Sequence, residues 1–168
     1  SGVARALSPG CKADYMLVLE GPQNLGKSET LRILASDQWF SDSLPRDLSS
    51  KDSMQHLLGK WICEMPELSQ MRRTDIETLK AFLSRRNDKF RPPYHRNEKE
   101  FPRQCIFAGT TNDDSYLVDE TGNRRFWIVN CKKIDLDRLT ADREQLWAEA
   151  VHEYQKGSIW HIKDPDII

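Results

Sequence analysis

The chain has 168 residues, 38% of them hydrophobic and 30% charged, which suits one soluble globular domain with a sizeable core. Its net charge of −1 excludes a global attraction to nucleic acid, so any DNA contact has to be local. No apolar run nears the ~20 residues that cross a bilayer, and the four scattered cysteines (Cys11, Cys63, Cys105, Cys131) lack metal-ligand spacing, so a reduced, cytoplasmic setting without a membrane is expected.

Ser1-Gly2 is followed by no signal-type apolar stretch and reads as a cloning remnant outside the fold. Residues 1–14 are polar and mixed, a lead-in to a domain expected over 15–162, with 163–168 as a tail. Tyr15-Met16-Leu17-Val18-Leu19 is a short apolar run of buried-strand type that ends in Glu20. Next comes Gly21-Pro22-Gln23-Asn24-Leu25-Gly26-Lys27-Ser28, the phosphate-loop pattern of two glycines, then lysine and a hydroxyl residue. The glycines let backbone N–H groups approach phosphate oxygens that a Cβ would fend off. Lys27 can reach the outer phosphates, and Ser28 offers a hydroxyl to magnesium. The loop should open a helix, whose N-terminus favours anions; the expected nucleotide contacts run from Gly21 through Glu29, and Leu31, Ile33, Leu34 and Ala35 continue the helix.

After Trp39-Phe40, a Ser/Asp/Pro-rich connection through Pro45 reads as loop. Ser49 or Ser50 can cap a short helix carrying Met54, Leu57 and Leu58, stopped by Gly59. Lys60-Trp61-Ile62-Cys63-Glu64 is a second buried strand finishing on an acid, and Pro66 allows a helix start. Thr74-Asp75-Ile76-Glu77 has the form of a capping box ahead of an apolar stripe of Ile76, Leu79, Phe82 and Leu83.

From Arg85 to Arg103 the character changes: seven Lys/Arg stand against three acids, around the pair Pro92-Pro93. Two prolines fit neither a central strand nor a helix interior, so an exposed hairpin or long loop is expected. Cys105 to Thr111 is a third strand that delivers Asn112, and a polar loop follows to Asn123. Arg124-Arg125 precede a fourth apolar run, Phe126 to Val129. Leu136, Leu139, Leu146, Trp147, Ala150, Val151 and Tyr154 mark a long amphipathic helix, with Gly157 at its stop.

A nucleotide-hydrolysing site needs an acid near the metal, a polar group to orient water, and positive charge for the developing phosphate charge. Glu64 and Glu67 are both candidate acids, Asn112 is the candidate polar group, and Arg124 and Arg125 are the candidate cations. Ligands at open α/β sheets gather beyond the carboxyl ends of the strands, where Glu64 and Asn112 fall. The fold class expected is α/β, a parallel central sheet with helices on both faces.

Taken in order, the segments Gly21–Ser28, Lys60–Leu68, Phe82–Arg86 with Arg91-Pro92-Pro93-Tyr94, Phe107–Asn112 and Thr121–Trp127 resemble the virulence-associated protein E family. That family is similar to the superfamily 3 helicases of viruses and plasmids and to phage primase-helicases, AAA+-type P-loop ATPases that work as rings on DNA. The resemblance implies ATP and Mg2+, with a Walker B acid matched by Glu64, a sensor asparagine matched by Asn112, and an arginine finger matched by Arg125 with Arg124 as its rival. It also implies a DNA-contacting hairpin, with Lys80, Arg85, Arg86, Lys89 and Arg91 the nearest matches. Expected partners are single-stranded or forked DNA, further copies of the chain in a ring (a hexamer), and a primase domain or partner. Many such helicases end the acid-bearing strand in two adjacent acids; here Glu64 stands alone with Glu67 three residues on, so the choice between them stays open. Two other readings remain: a small-molecule or nucleotide kinase, and a non-catalytic nucleotide-binding module.

Overall fold

The computed structural model of the chain describes residues 1–45, 47–68, 71–112 and 125–160. Five strands form a parallel sheet: β1 (Met16–Glu20), β2 (Phe40–Ser41), β3 (Ile62–Met65), β6 (Ile106–Thr111) and β7 (Phe126–Asn130). A separate antiparallel hairpin comprises β4 (Asn87–Phe90) and β5 (Lys99–Pro102). The α-helices among the described residues are α1 (Gly2–Leu7), α2 (Lys27–Ala35), α3 (Lys51–His56), α4 (Arg73–Leu83) and α5 (Leu136–Gln155).

Strand alternation divides the apolar side chains between two faces. Met16, Val18, Cys63, Met65, Phe107 and Phe126 join Leu57 and the α4 stripe of Ile76, Leu79, Phe82 and Leu83. Leu17, Leu19, Ile62, Ile106 and Ala108 join Leu31 and Ala35 of α2 and Trp147 of α5. Helices therefore cover both faces, as the near-continuous apolar runs require of a parallel sheet.

The order across the sheet is β2-β3-β6-β1-β7. The chain leaves β1 for the far edge, returns through β3 and β6, then crosses β1 to reach β7. The direction of travel reverses around β1, which opens a crevice beyond its carboxyl end.

Several local expectations need correcting. The lead-in is folded: Val3, Ala4 and Arg5 of α1 are buried, and Trp61 Nε1 donates to the Gly2 carbonyl at 3.0 Å. Ser1-Gly2 is thus packed against the domain, a contact that a six-residue helix gives no periodicity to foretell. The α4 box is displaced by two residues, since Arg72 is the N-cap and its N–H donates to Asp75 Oδ2 at 3.0 Å. No helix starts at Pro66; Pro66 and Glu67 are irregular, with Glu67 at φ +53°. β2 lies where only loop was expected, because two residues are too few to carry an alternation. Finally, Ile128 and Val129 are 48% and 46% exposed, so β7 is an edge strand.

Other elements match. Ser50 caps α3 through the Ser53 N–H at 3.1 Å, and Gly157 closes α5 in the left-handed region, φ +81°.

Candidate functional site

The turn after β1 is built from backbone conformations that most residues avoid. Gly21, Asn24 and Gly26 have φ of +151°, +61° and +92°, and Gly26 is the N-cap of α2. Gly21 has a second reason to be glycine. Cys131, just after β7, donates its N–H to the Glu20 carbonyl at 2.7 Å, and its own carbonyl occupies the space a Cβ on Gly21 would need. The Gly21 N–H donates to the Thr111 carbonyl at 3.2 Å. The loop is thus fastened to the strands on either side of β1. Gly21→Ala should lower the unfolding free energy by about 1–3 kcal/mol, as overpacking against backbone does. An unchanged denaturation midpoint would contradict this close approach.

Lys27 opens α2 and is buried. Its ammonium spends its donors on the Gly21 carbonyl (2.7 Å), the Pro22 carbonyl (2.8 Å) and Asn112 Oδ1 (2.9 Å). Burial pushes its pKa below the ordinary lysine value, so an anion in the loop mouth would relieve a desolvated charge.

Ser28 Oγ donates to Glu64 Oε1 at 2.6 Å, and Thr110 Oγ1 donates to the same oxygen at 2.7 Å. Glu64 is 1% exposed, and its Oε2 is buried without a hydrogen-bond partner. An orphaned carboxylate oxygen is costly unless something satisfies it. A hard divalent cation taking the Glu64 carboxylate and the Ser28 hydroxyl would do so with suitable oxygen donors. The residues present therefore fit magnesium.

Four expected groups meet here: Lys27, Ser28, Glu64 and Asn112. Thr110, which the sequence reading missed, completes the set; two residues before Asn112 on β6, it points to the side of its strand that faces Glu64. Pro22, Gln23 and Asn24 are exposed at the loop crest, while Leu25 packs against Gly21. Glu29 turns along α2 to pair with Arg32 at 3.5 Å. Glu67 is exposed and lines a cleft of about 690 Å³ together with Glu64, Asp42, Leu48, Met71 and Arg72.

Arg125 is not brought into this group. It directly precedes Phe126, which pairs with Met16, whereas Asn130 pairs with Glu20. It stands at the amino rim of the sheet, a strand length of roughly 16 Å from the loop. Its Nε is buried without a hydrogen-bond partner. Arg124 lies outside the described residues.

The basic candidates divide. Lys80 is buried and pairs with Glu77 at 2.8 Å, so it belongs to the body of the fold and not to an open basic face. Arg85 is half-buried, its guanidinium 5.3 Å from the Phe82 ring centre. Arg86 is exposed with Nε on the Gly10 carbonyl (2.7 Å), Lys89 is exposed beside Glu98 (3.3 Å), and Arg91 is exposed. Arg103, in the connection just after β5, is not on the surface: it is buried in a two-pronged pair with Asp88, Nε–Oδ2 2.6 Å and Nη2–Oδ1 2.7 Å.

The model of the virulence-associated protein E-like domain matches residues 1–166. The chain belongs to this family. No curated protein matches the chain significantly. Among solved structures, the virulence-associated protein E-like fold is similar to the A form apo structure of the NrS-1 C-terminal region, with a TM-score of 0.59 at 18% identity, covering 83% of this chain. A second structure of that region, residues 305–718, gives a TM-score of 0.53 at 18% identity, covering 90% of this chain. In both cases the matched part is 37% of the other chain, so this chain spans little more than a third of the length of those structures. At that identity the likeness is one of fold.

Among the described residues, no helix is long and apolar enough to cross a membrane.

Proposed function

We propose that this chain is the motor domain of a DNA-dependent ATPase, a helicase or primase-helicase of a replicating phage, plasmid or pathogenicity island. The observation behind the reading is the meeting of Lys27, Ser28, Glu64 and Asn112 at the mouth of α2, with one glutamate oxygen left unsatisfied. Backbone N–H groups of the loop at the helix N-terminus receive the phosphates. Lys27 exchanges the Gly21 and Pro22 carbonyls for the outer phosphates and in doing so frees Asn112 Oδ1, which then orients the attacking water. Ser28 and Glu64 would hold Mg2+, which when bound would supply positive charge beside the phosphates. Glu64 is the better placed acid, being strand-borne and held by two hydroxyls, while Glu67 stands free at the cleft rim.

Arg125 is too distant to serve its own loop, so it acts on the loop of a neighbouring copy, as in a homo-oligomeric ring. The hairpin supplies Arg86, Lys89 and Arg91 to DNA phosphates. Turnover measured with and without single-stranded DNA, alongside mass in solution with ATP, tests the reading. Arg125→Ala and Glu64→Gln proteins should each be inactive yet bind ATP, and mixing them should restore part of the turnover. No restoration in a demonstrated oligomer would count against the shared site.

The cleft beside Glu64 favours a second reading, a kinase with an acceptor pocket next to the phosphate loop. ADP production that depends on a small acceptor and ignores single-stranded DNA would select it.

A further inference from the structure

The hairpin presents its turn on a firm base. Phe90 stacks on Phe101 with centroids 4.7 Å apart, the Arg103–Asp88 pair and an Arg103 N–H to Arg86 carbonyl bond at 2.9 Å tie the two strands together, and Arg103 also donates to the Phe82 carbonyl of α4. Beyond Phe90 the turn residues Arg91 and 93–98 are exposed, and Tyr94 lies at its centre with 107% relative exposure. Its φ of +64° is an uncommon conformation for a bulky residue. The Pro92-Pro93 pair and a His95 N–H to Pro92 carbonyl bond at 3.2 Å hold it there. An aromatic ring displayed in water at the end of a braced arm has no packing role in this chain. Its exposed neighbours include Arg91, His95 and Arg96, with Lys99 at the start of β5 and Lys89 on β4 paired with the turn's Glu98 at 3.3 Å.

A flat ring among cations spaced along an exposed turn is the arrangement that binds unpaired nucleic acid: cations follow the phosphates, and the ring offers a π-face to a base. We infer that Tyr94 stacks on an unpaired nucleobase and is the element of the hairpin that distinguishes single-stranded DNA from a bare phosphate backbone. This rests on the hairpin being the DNA-contacting arm. Because every base has a π-face, the contact is sequence-tolerant.

The test compares binding of an oligothymidylate with that of an equally long strand whose central nucleotides are abasic, for the wild-type chain and for Tyr94→Ala, Tyr94→Phe and Tyr94→Trp. Full exposure of Tyr94 makes all three variants foldable, which circular dichroism verifies. The wild-type chain should prefer the base-bearing strand by about tenfold, the size expected of one stacked base. Tyr94→Ala should lose that preference while keeping its affinity for the abasic strand and the same salt dependence. Phenylalanine and tryptophan should retain the preference. If the wild-type chain binds neither strand at low salt, the hairpin is not a DNA arm and both readings fall. If it binds and Tyr94→Ala discriminates as before, only the stacking role falls. A Tyr94→Ala protein whose mass in solution with ATP drops while its discrimination persists would make Tyr94 a subunit contact, which also overturns the inference.

Discussion

Lys27→Ala should lose ATP affinity by roughly 30-fold to several thousand-fold, the 2–5 kcal/mol expected when a buried charge is removed from a charged partner. The fold should survive. The carbonyls of Gly21 and Pro22 and the Asn112 amide oxygen lose a donor, but Pro22 is exposed at the loop crest and water can replace the ammonium. The lysine is also a desolvated cation whose pKa burial depresses, so removing it relieves one cost while adding another. Calorimetric titration with Mg·ATP reads the affinity, and thermal unfolding reads the fold. An affinity equal to wild type would remove the loop from the reading of this site; a large fall in melting temperature would make Lys27 a structural residue.

The largest stability effect should come from Arg103→Ala. Arg103 and Asp88 side chains are 1% and 3% exposed, so deleting the guanidinium leaves a carboxylate buried without its cation, a change of about 3–5 kcal/mol. Arg103 also donates to the Phe82 carbonyl, and its guanidinium lies 4.2 Å from the Phe82 ring centre, so packing is lost as well. Pairing Arg103→Leu with Asp88→Leu should recover much of the loss, because no buried charge then remains. Chemical denaturation of the single and double variants measures this. A single variant within 1 kcal/mol of wild type (roughly the worth of a surface pair) would mean the pair is solvated.

These two residues illustrate what the sequence could and could not disclose. The turn that opens α2 at Lys27 was legible because its pattern is local: glycines, lysine and hydroxyl are fixed by their spacing to one another. The strands beside Glu64 and Asn112 were legible for a related reason, being apolar runs, although β3 continues one residue past Glu64 to Met65 and Asn112 follows the end of β6. Arg103 was counted with the surface cations, since composition over a window cannot tell which cation turns inward to meet an acid fifteen residues away. Lys80 failed in the same way, sharing a helix face with Ile76 and packing there beside Glu77. Thr110 went unnoticed because its role depends on β6 lying beside β3, a pairing across dozens of residues. Arg125 was placed ahead of the fourth apolar run, and preceding a parallel strand puts a residue at the rim opposite Glu64 and Asn112. The helix over residues 2–7 was too short to show a period.

The hairpin springs from the starting end of β6, and the loop Gly21–Gly26 lies beyond the finishing end of β1, its parallel neighbour. Among the described residues the hydrogen bonds of Lys27, Arg86 and Arg103 give the two places no shared side-chain partner, so the energetic consequences of changes there in a lone copy should simply add. Any cross-talk between DNA and ATP would then have to be conducted by β6 or α4 as stiff rods, or arise only once copies assemble.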